Sequence, residues 1–370
     1  MNIAPAILIM IHCEEHTGYA ISSLEHVFHQ SALAAGYSNE RIFWSYNGLK
    51  DAGAGNKIDC DYRNPNPATL VPFLRNNNIQ TVIAFDLGYP AKVISLLKDN
   101  GVKKIISYWG ASMSSINTGL KLWLKKAEFF ARRNTPDHFV FESEAMRRTA
   151  THGRGVPAKA TSVLYLGVDT EKFSPNYGKD FYAHEQLGIP QERKIIFYSG
   201  HMEERKGVRT IINAAIHMAT TGSLQNIQFV LCGNKGDEAK TYTDMLAGTA
   251  AEPHVTFAGY RKDIAALMRS SSIGVIASTG WDSFTMSSVE MMASGLPLIV
   301  SNLQGLSETI ENHKNGFLIS PGNHTELAEK IFVLCTDTTL AQSFSKHSRQ
   351  RAEQNFSVSK QIKTMANILR

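Results

Sequence analysis

The sequence holds only four cysteines in 370 residues, Cys13, Cys60, Cys232 and Cys335, and none falls in a CxxC or zinc-type spacing. A disulfide-stapled secreted scaffold and a structural zinc site are therefore unsupported, and the four read as small buried hydrophobes of a reducing cytoplasm. Long apolar runs are also missing. The longest, Ala6 to Ile11, lies between Pro5 and His12 and is far short of the ~18–20 apolar residues that span a bilayer. No basic stretch precedes it and no small-residue cleavage site follows, so a buried strand is expected there and not a signal peptide. No low-complexity tract or internal repeat stands out, and no GxGxxG follows Gly18, which leaves a dehydrogenase-type dinucleotide site unsupported. What is present is ordinary for a globular enzyme: 43% hydrophobic and 19% charged residues, a balance that excludes a disordered, collagen-like or coiled-coil chain. The net charge of +5 is mild but uneven. From Lys103 to Arg133 there are seven Lys or Arg and a single acid, Glu128.

The length allows about two domains, each with a core of its own. Short apolar runs alternate with stretches of helical period, the pattern of βαβ units and parallel sheets. Strands are expected at 6–12, 41–46, 81–85, 104–108, 138–141 and 162–165, and again at 194–199, 228–232, 254–258, 273–277, 297–301 and 316–319. The turn-rich stretch Phe173–Gly178, with Pro175 and Asn176, is the expected joint. The reading is thus an α/β chain: a first block over 1–173, a second over 174–355, and a last segment over 356–370 whose helical spacing (Val358, Ile362, Met365, Ile368) lets it pack on either. Ligands of such sheets bind outside the carboxyl ends of the strands, so two blocks facing one another across a deep cleft would suit a reaction between two substrates.

Two segments carry the chemistry. In 273–301, IGVIASTGWDSFTMSSVEMMASGLPLIVS, a strand, a polar loop and a helix follow in order. Thr285 or Ser283 is the expected cap and Gly295 the stop. The first turn, around Thr285, Met286 and Ser287, offers backbone N–H groups to an anion such as a diphosphate. Asp282 and Glu290 flank that cradle and, as acids, suit sugar hydroxyls better than phosphates. In 197–213, FYSGHMEERKGVRTIIN, another strand-to-helix junction brings His201, Arg205 and Lys206 after Gly200. Fixed cations there would stabilise the charge that builds on a departing diphosphate. Taken singly, each segment reads equally as a capped helix and a solvated loop.

Together these residues resemble the retaining glycosyltransferases of family 4. TSVLYLGVDTEKFSP is similar to their "NGVD…F.P" segment, SGHMEERKG to "G-R-x-x-x-x-K-G", and FAGYRKDIAALMRSSSIGVIAS to their "G-x-x-x-D-…-D-x-x-x-P-S" run. DSFTMSSVEMMASGLPLIVS is similar to "E-G-F-G-…-E-A-M-A-x-G-x-P-V-I-A-S", and NLQGLSETIENHKNGFLISPGN to the "GG-x-x-E" segment that follows, in order over roughly 140–332. The resemblance implies the GT-B fold, two Rossmann-like doubly wound domains facing a central cleft, with the donor held mainly by the second and the final helix returning to the first. Residue by residue it implies that Lys206 contacts the donor diphosphate, that Glu290 bonds the ribose, and that Gly18 belongs to the first-domain glycine loop. It also implies that the backbone over Ser283, Phe284, Thr285, Met286 and Ser287 cradles the donor. His201 stands where the family usually has arginine, Asp282 replaces the first acid of the pair, and Ser283 and Thr285 replace glycines. Trp109 occupies the place of a first-domain histidine that reaches the sugar, with His16 a possible substitute.

The expected function is transfer of a sugar, with retention, from a nucleotide-diphosphate sugar (UDP- or GDP-linked) to an acceptor hydroxyl. Cell-envelope polysaccharide, glycolipid or glycoconjugate synthesis is the expected setting. Lys206, Arg205 and Asp282 are the expected catalytic residues. Gly18, Gly200, His201, Ser283, Phe284, Thr285, Met286, Ser287, Glu290 and Trp109 are the expected substrate-binding residues. No cofactor is expected, and no DxD-type cluster or His/Asp ligand spacing points to a metal. A non-catalytic sugar-nucleotide-binding partner subunit and a sugar-nucleotide epimerase of the same fold are the alternatives. The segment 117–133, NTGLKLWLKKAEFFARR, has Leu120, Trp123, Leu124, Ala127 and Phe130 on one helical face and Lys121, Lys125, Lys126, Arg132 and Arg133 elsewhere. It reads either as an ordinary amphipathic helix with its apolar face in the core or as a helix that lies on the inner face of an anionic membrane. No nucleic-acid motif accompanies the charge.

Overall fold

The structure, a computed structural model, describes residues 4–49, 55–132, 134–176 and 180–370; Arg133 of the basic segment and Gly178 of the expected joint lie outside the described residues. The chain divides into two units, Met1–Tyr165 with Ser359–Arg370, and Leu166–Val358. The first holds strands β1 (Ala6–Met10), β2 (Ile42–Tyr46), β3 (Lys57–Asp59), β4 (Ile79–Phe85), β5 (Lys104–Trp109), β6 (His138–Phe141) and β7 (Thr161–Val163). The second holds β8 (Lys194–Ser199), β9 (Ile227–Cys232), β10 (Val255–Gly259), β11 (Ile273–Ile276), β12 (Leu298–Ser301) and β13 (Gly316–Ile319).

Each unit is one parallel sheet with helices between its strands. The seven-stranded sheet runs β3-β2-β1-β4-β5-β6-β7 and the six-stranded sheet β10-β9-β8-β11-β12-β13. β1 is buried along its whole length, which requires cover on both faces of the sheet. Clusters around Leu8, Leu70 and Phe139 on one side, and around Ile9, Phe28 and Tyr108 on the other, provide it. The order within each unit is that of a doubly wound fold, in which the chain winds one way from the central strand and then jumps back past it. That reversal falls between β1 and β4 in the first sheet and between β8 and β11 in the second. Polar loops leaving the carboxyl ends of those adjacent strands are thereby brought side by side.

β3 goes beyond the expected strands. It is a three-residue edge strand with only Ile58 buried, too short to carry a hydrophobic period. The crossings between units fall after Tyr165 and before Ser359, where the sequence suggested 173/174 and 355/356. The reason is backbone pairing. Val168 N–H donates to Phe356 O at 2.7 Å and Val358 N–H to Val168 O at 3.0 Å. Arg349 Nη1 donates to the carbonyls of Thr170 and Phe173, both at 2.9 Å. These bonds fasten the segment after Tyr165 to the second unit.

The last helix, Val358–Leu369, returns to the first unit. Met365 and Leu369 join the cluster that holds Ile7, Ile9 and Phe28. Lys104 Nζ donates to Ile368 O at 2.7 Å, and Arg370 to Ala34 O at 2.6 Å. Gln361 and Ala366 are buried on the same helix, while Val358, Ile362 and Ile368 are only half-buried. The burial stripe is therefore rotated from the one the apolar spacing suggested.

Candidate active site

In the second unit the strand reversal brings the two chemistry-bearing segments together. β8 ends at Ser199, and after a short turn over Glu204–Lys206 the helix Val208–Thr220 begins. β11 ends at Ile276, and the loop 277–285 leads to the helix Met286–Ala293. Lys206 Nζ donates to both carboxylate oxygens of Asp282, at 3.1 and 3.0 Å. Ser278 Oγ donates to the same carboxylate at 2.8 Å. The Asp282 side chain is only 7% exposed and that of Lys206 16%, so each charge is withdrawn from water and satisfied chiefly by the other. The expectation that Asp282 is directed at a sugar is thus modified. Its oxygens hold the lysine ammonium in place.

Other contacts lock the two loops. Ser287 Oγ donates to Ser199 O at 2.7 Å, tying the first turn of the helix Met286–Ala293 to the end of β8. Arg205 accepts at its carbonyl from the N–H groups of Thr279 and Gly280, at 2.8 and 3.2 Å. Its guanidinium donates to Trp281 O at 3.1 Å and pairs with Glu203. Arg205 therefore clamps the loop before Asp282, and its guanidinium is paired with Glu203. Gly207 adopts φ +74, and a Cβ there would stand 1.8 Å from Ala277 O. Behind the site, Tyr198 Oη donates to His201 O at 2.7 Å. Burial, reinforced by the Asp282 charge, pushes the Tyr198 pKa up and keeps it a donor. Gly200 leaves room for the same hydroxyl, since a Cβ would lie 2.7 Å from it. The His201 side chain itself is exposed.

The first turn of the helix Met286–Ala293 differs in detail from expectation. Thr285 sits at the N-cap position but its side chain makes no capping bond, and its Oγ1 is buried without a partner. The anion-binding capacity of this end rests on the N-terminal amides, which helix geometry leaves without intrahelical acceptors. Gly295 does end the helix, in the left-handed region at φ 78, with its N–H on Met292 O at 2.9 Å. Phe284 turns inward onto Phe356, ring centroids 5.4 Å apart, so it can offer a ligand only backbone. Glu290 is buried on the helix.

The remaining expected residues lie in the first unit. Gly18, at φ 75, opens the helix Gly18–Ala35. Trp109 ends β5 half-buried against the cluster that contains Phe139 and Phe141, and its Nε1 is buried without a partner. The indole thus packs on that cluster. One residue without a part in the sequence reading also lies at this end of the sheet. Asp86, at φ 52, accepts from Gly110 N–H at 2.9 Å, and burial pushes its pKa up. Ser278 and Gly207 in the second unit were legible only as members of longer runs.

The basic helix spans Gly119–Ala131 and buries none of its residues. Leu120 is 73%, Trp123 63%, Leu124 54% and Phe130 73% exposed, so the apolar face is not core. Phe129 anchors the helix, edge-on to Tyr89 at 5.6 Å. Glu128 pairs with Lys125 and Arg132, which hold its carboxyl down at about 2. Lys121 and Lys126 make no ion pair among the described residues. No helix of the described residues is long and apolar enough to cross a membrane.

A family model described as "Glycosyl transferases group 1" matches residues 181–351. Among curated proteins, Spore coat protein SA of Bacillus subtilis (strain 168) is 29% identical over 59% of this chain and 60% of its own length. UDP-Gal:alpha-D-GlcNAc-diphosphoundecaprenol alpha-1,3-galactosyltransferase of Escherichia coli is 26% identical over 67% of this chain and 64% of its own. The chain thus spans less than two-thirds of the length of these relatives. Among solved structures, a glycosyltransferase from Rickettsia africae ESF-5 superposes with a TM-score of 0.81 at 18% identity, over 100% of this chain and 98% of that one. Anabaena Alr3699/HepE in complex with UDP-glucose gives 0.72 at 20% identity, over 98% and 99%. The fold is GT-B.

Proposed function

We propose that the chain, which matches the glycosyl transferases group 1 model over residues 181–351, transfers a sugar from a nucleotide-diphosphate sugar to an acceptor hydroxyl with retention at the anomeric carbon. The observation that carries the reading is the Lys206–Asp282 contact at the strand reversal, beside the first turn of the helix Met286–Ala293. A cation and a set of amides held by buried contacts are what a departing diphosphate needs, because they stabilise the growing charge without having to reorganise. Asp282 keeps the ammonium aimed, and Arg205 positions the loop. Glu290 takes the ribose hydroxyls. The acceptor oxygen bonds to the anomeric carbon as the carbon–oxygen bond to the diphosphate breaks. The electron pair leaves on the diphosphate, whose own oxygen takes the acceptor proton. UDP- and GDP-sugars are the donors tested first.

The test is a thermal-shift panel of nucleoside diphosphates on the full chain. A ligand at about a hundredfold its Kd stabilises by ~2.7 kcal/mol, a shift easily read. UDP or GDP should give it, and a flat response to every nucleotide would reject the reading. Glu290→Gln should weaken nucleotide binding and raise donor KM by roughly tenfold, the value of a hydrogen bond to a charged group. Calorimetry giving an unchanged nucleotide Kd would remove the ribose role.

The exposed face of the helix Gly119–Ala131 favours a membrane-borne acceptor. Leu120, Trp123, Leu124 and Phe130 stand in water beside Lys121 and Lys126, an arrangement that buries apolar side chains and attracts anionic headgroups at a bilayer surface. The relative from Escherichia coli carries a diphosphoundecaprenol-linked acceptor in its name. Vesicles rich in phosphatidylglycerol should sediment the protein, and those of phosphatidylcholine should do so far less. Changing Trp123 and Phe130 to Ser together should cut that binding more than tenfold, from the ~1.5–3 kcal/mol each buried side chain contributes. Equal sedimentation of wild type and variant would dismiss the patch.

A further inference from the structure

The loop after β1 holds a group of side chains that the donor chemistry leaves without a role. His16 stands there with a left-handed backbone, φ 55. Its N–H donates to Glu25 Oε1 at 3.1 Å, and its Nδ1 lies 2.6 Å from Glu25 Oε2. One carboxylate thus grips both the backbone and the ring of the same residue. With Nδ1 taken by that carboxylate, Nε2 is the ring nitrogen left for another group. Glu25 is buried while the His16 side chain is 70% exposed. Tyr46, which is hydrogen-bonded to Glu25, has its pKa pushed up, first by burial and then by that carboxylate, so it remains a donor. Beside Nε2, at 3.5 Å, lies Glu15 Oε1, itself held by Lys57 Nζ at 2.6 Å.

A buried carboxylate that fixes an exposed imidazole in a strained backbone costs stability, through lost side-chain freedom and the left-handed conformation. Packing does not explain it, because the ring is in water. The place does: the loop leaves the carboxyl end of β1, beside β4, where the strand order of the first sheet reverses and where open α/β sheets bind ligands. Nε2 and Glu15 Oε1 are two adjacent hydrogen-bonding atoms at a separation that neighbouring hydroxyls span, with a lysine ammonium behind the second.

We propose that His16 and Glu15 recognise a 1,2-diol of a carbohydrate or cyclitol acceptor, one hydroxyl hydrogen-bonded to Nε2 and its neighbour donating to Glu15 Oε1. The inference rests on the glycosyl-transfer reading and deepens it, by assigning the acceptor class to the first unit. Glu25 is a positioning residue that sets the ring, and Lys57 sets Glu15. Neither His16 nor Glu15 takes the proton of the reacting hydroxyl.

The test is NMR of the full chain labelled with 15N-histidine. His16→Asn identifies the His16 signal by its loss, and asparagine tolerates the left-handed backbone. myo-Inositol and methyl α-glucopyranoside are the 1,2-diol probes, with 1,3-propanediol as the control. The His16 Nε2 signal should move progressively with both 1,2-diols, stay still with the control, and move less in Glu15→Gln. A signal that stays still at the solubility limit of the probes, or that follows 1,3-propanediol equally, overturns the proposal. UDP is added in a separate arm that reads the second unit. UDP without effect, alongside a moving His16 signal, counts against glycosyl transfer and leaves the diol site standing; UDP binding with an unmoved His16 does the reverse. In transfer assays His16→Asn should raise acceptor KM about tenfold, with kcat and donor KM nearly unchanged, and an unchanged acceptor KM would also overturn it.

Discussion

Lys206→Met is expected to lower turnover by ~10²-fold or more, the scale found when one preorganised group that stabilises developing charge is removed. Donor KM should rise much less, because the charge on the bridging oxygen grows mainly as the bond breaks. The structure adds a second consequence. Removing one partner of a buried pair leaves the other charged and unpaired, at a cost of about 3–5 kcal/mol. Asp282 keeps Ser278 as a partner, so the lower end of that range is expected for the melting transition. The two effects separate in the double variant. Lys206→Met with Asp282→Asn should recover most of the lost stability and none of the turnover. Lys206→Arg keeps the charge but not the compact ammonium, and should fall between. Steady-state kinetics with a saturating donor, read beside thermal melts, decides the matter. A double variant that regained turnover would mean that the lysine serves only to neutralise the aspartate.

That ion pair marks the boundary of what the sequence discloses. Both of its residues stand out in their own segments, as a lysine before a helix glycine and an acid before a polar helix start. The contact between them joins positions separated by 76 residues. It exists only because β8 and β11 are neighbours in the sheet, and strand order is a property of the whole unit that no local pattern contains. Continuous apolar runs such as AILIM announce a strand because burial on both faces leaves no polar position. The edge strand Lys57–Asp59 has no such run and passes for loop. The helix Gly119–Ala131 shows the converse limit. Its amphipathic spacing is plain, yet periodicity states only that two faces differ, not which one meets the core. The helix sits on Phe129, leaving Leu120, Trp123 and Phe130 outside. The grip of Glu25 on His16 spans nine positions, a spacing that leaves no mark in composition, because it depends on where the helix Gly18–Ala35 is pinned.

Gly207→Ala should be the most damaging small change in the second unit. Two costs combine there. At φ +74 any L-residue is left-handed, which costs roughly 1–2 kcal/mol. The added Cβ would also fall 1.8 Å from Ala277 O, the buried first residue of the loop after β11. A total above ~3 kcal/mol is expected, as for other large single-site losses with a named steric cause. Gly188 provides the control. It has φ +65 at the end of the helix Tyr182–Leu187, and a Cβ there meets nothing within 4 Å. Gly188→Ala should therefore cost only about 1 kcal/mol. The pair isolates close approach from backbone strain, since both glycines share the strain. Relief of the Gly207 clash would part the turn that carries Lys206 from the strand end that leads to Asp282, so nucleotide binding should fall along with stability. It should persist in Gly188→Ala. Urea midpoints at constant slope and a UDP thermal shift on each variant give both readings. If Gly207→Ala melts like Gly188→Ala and binds UDP normally, contact between the turn and Ala277 is not what brings the lysine to the aspartate.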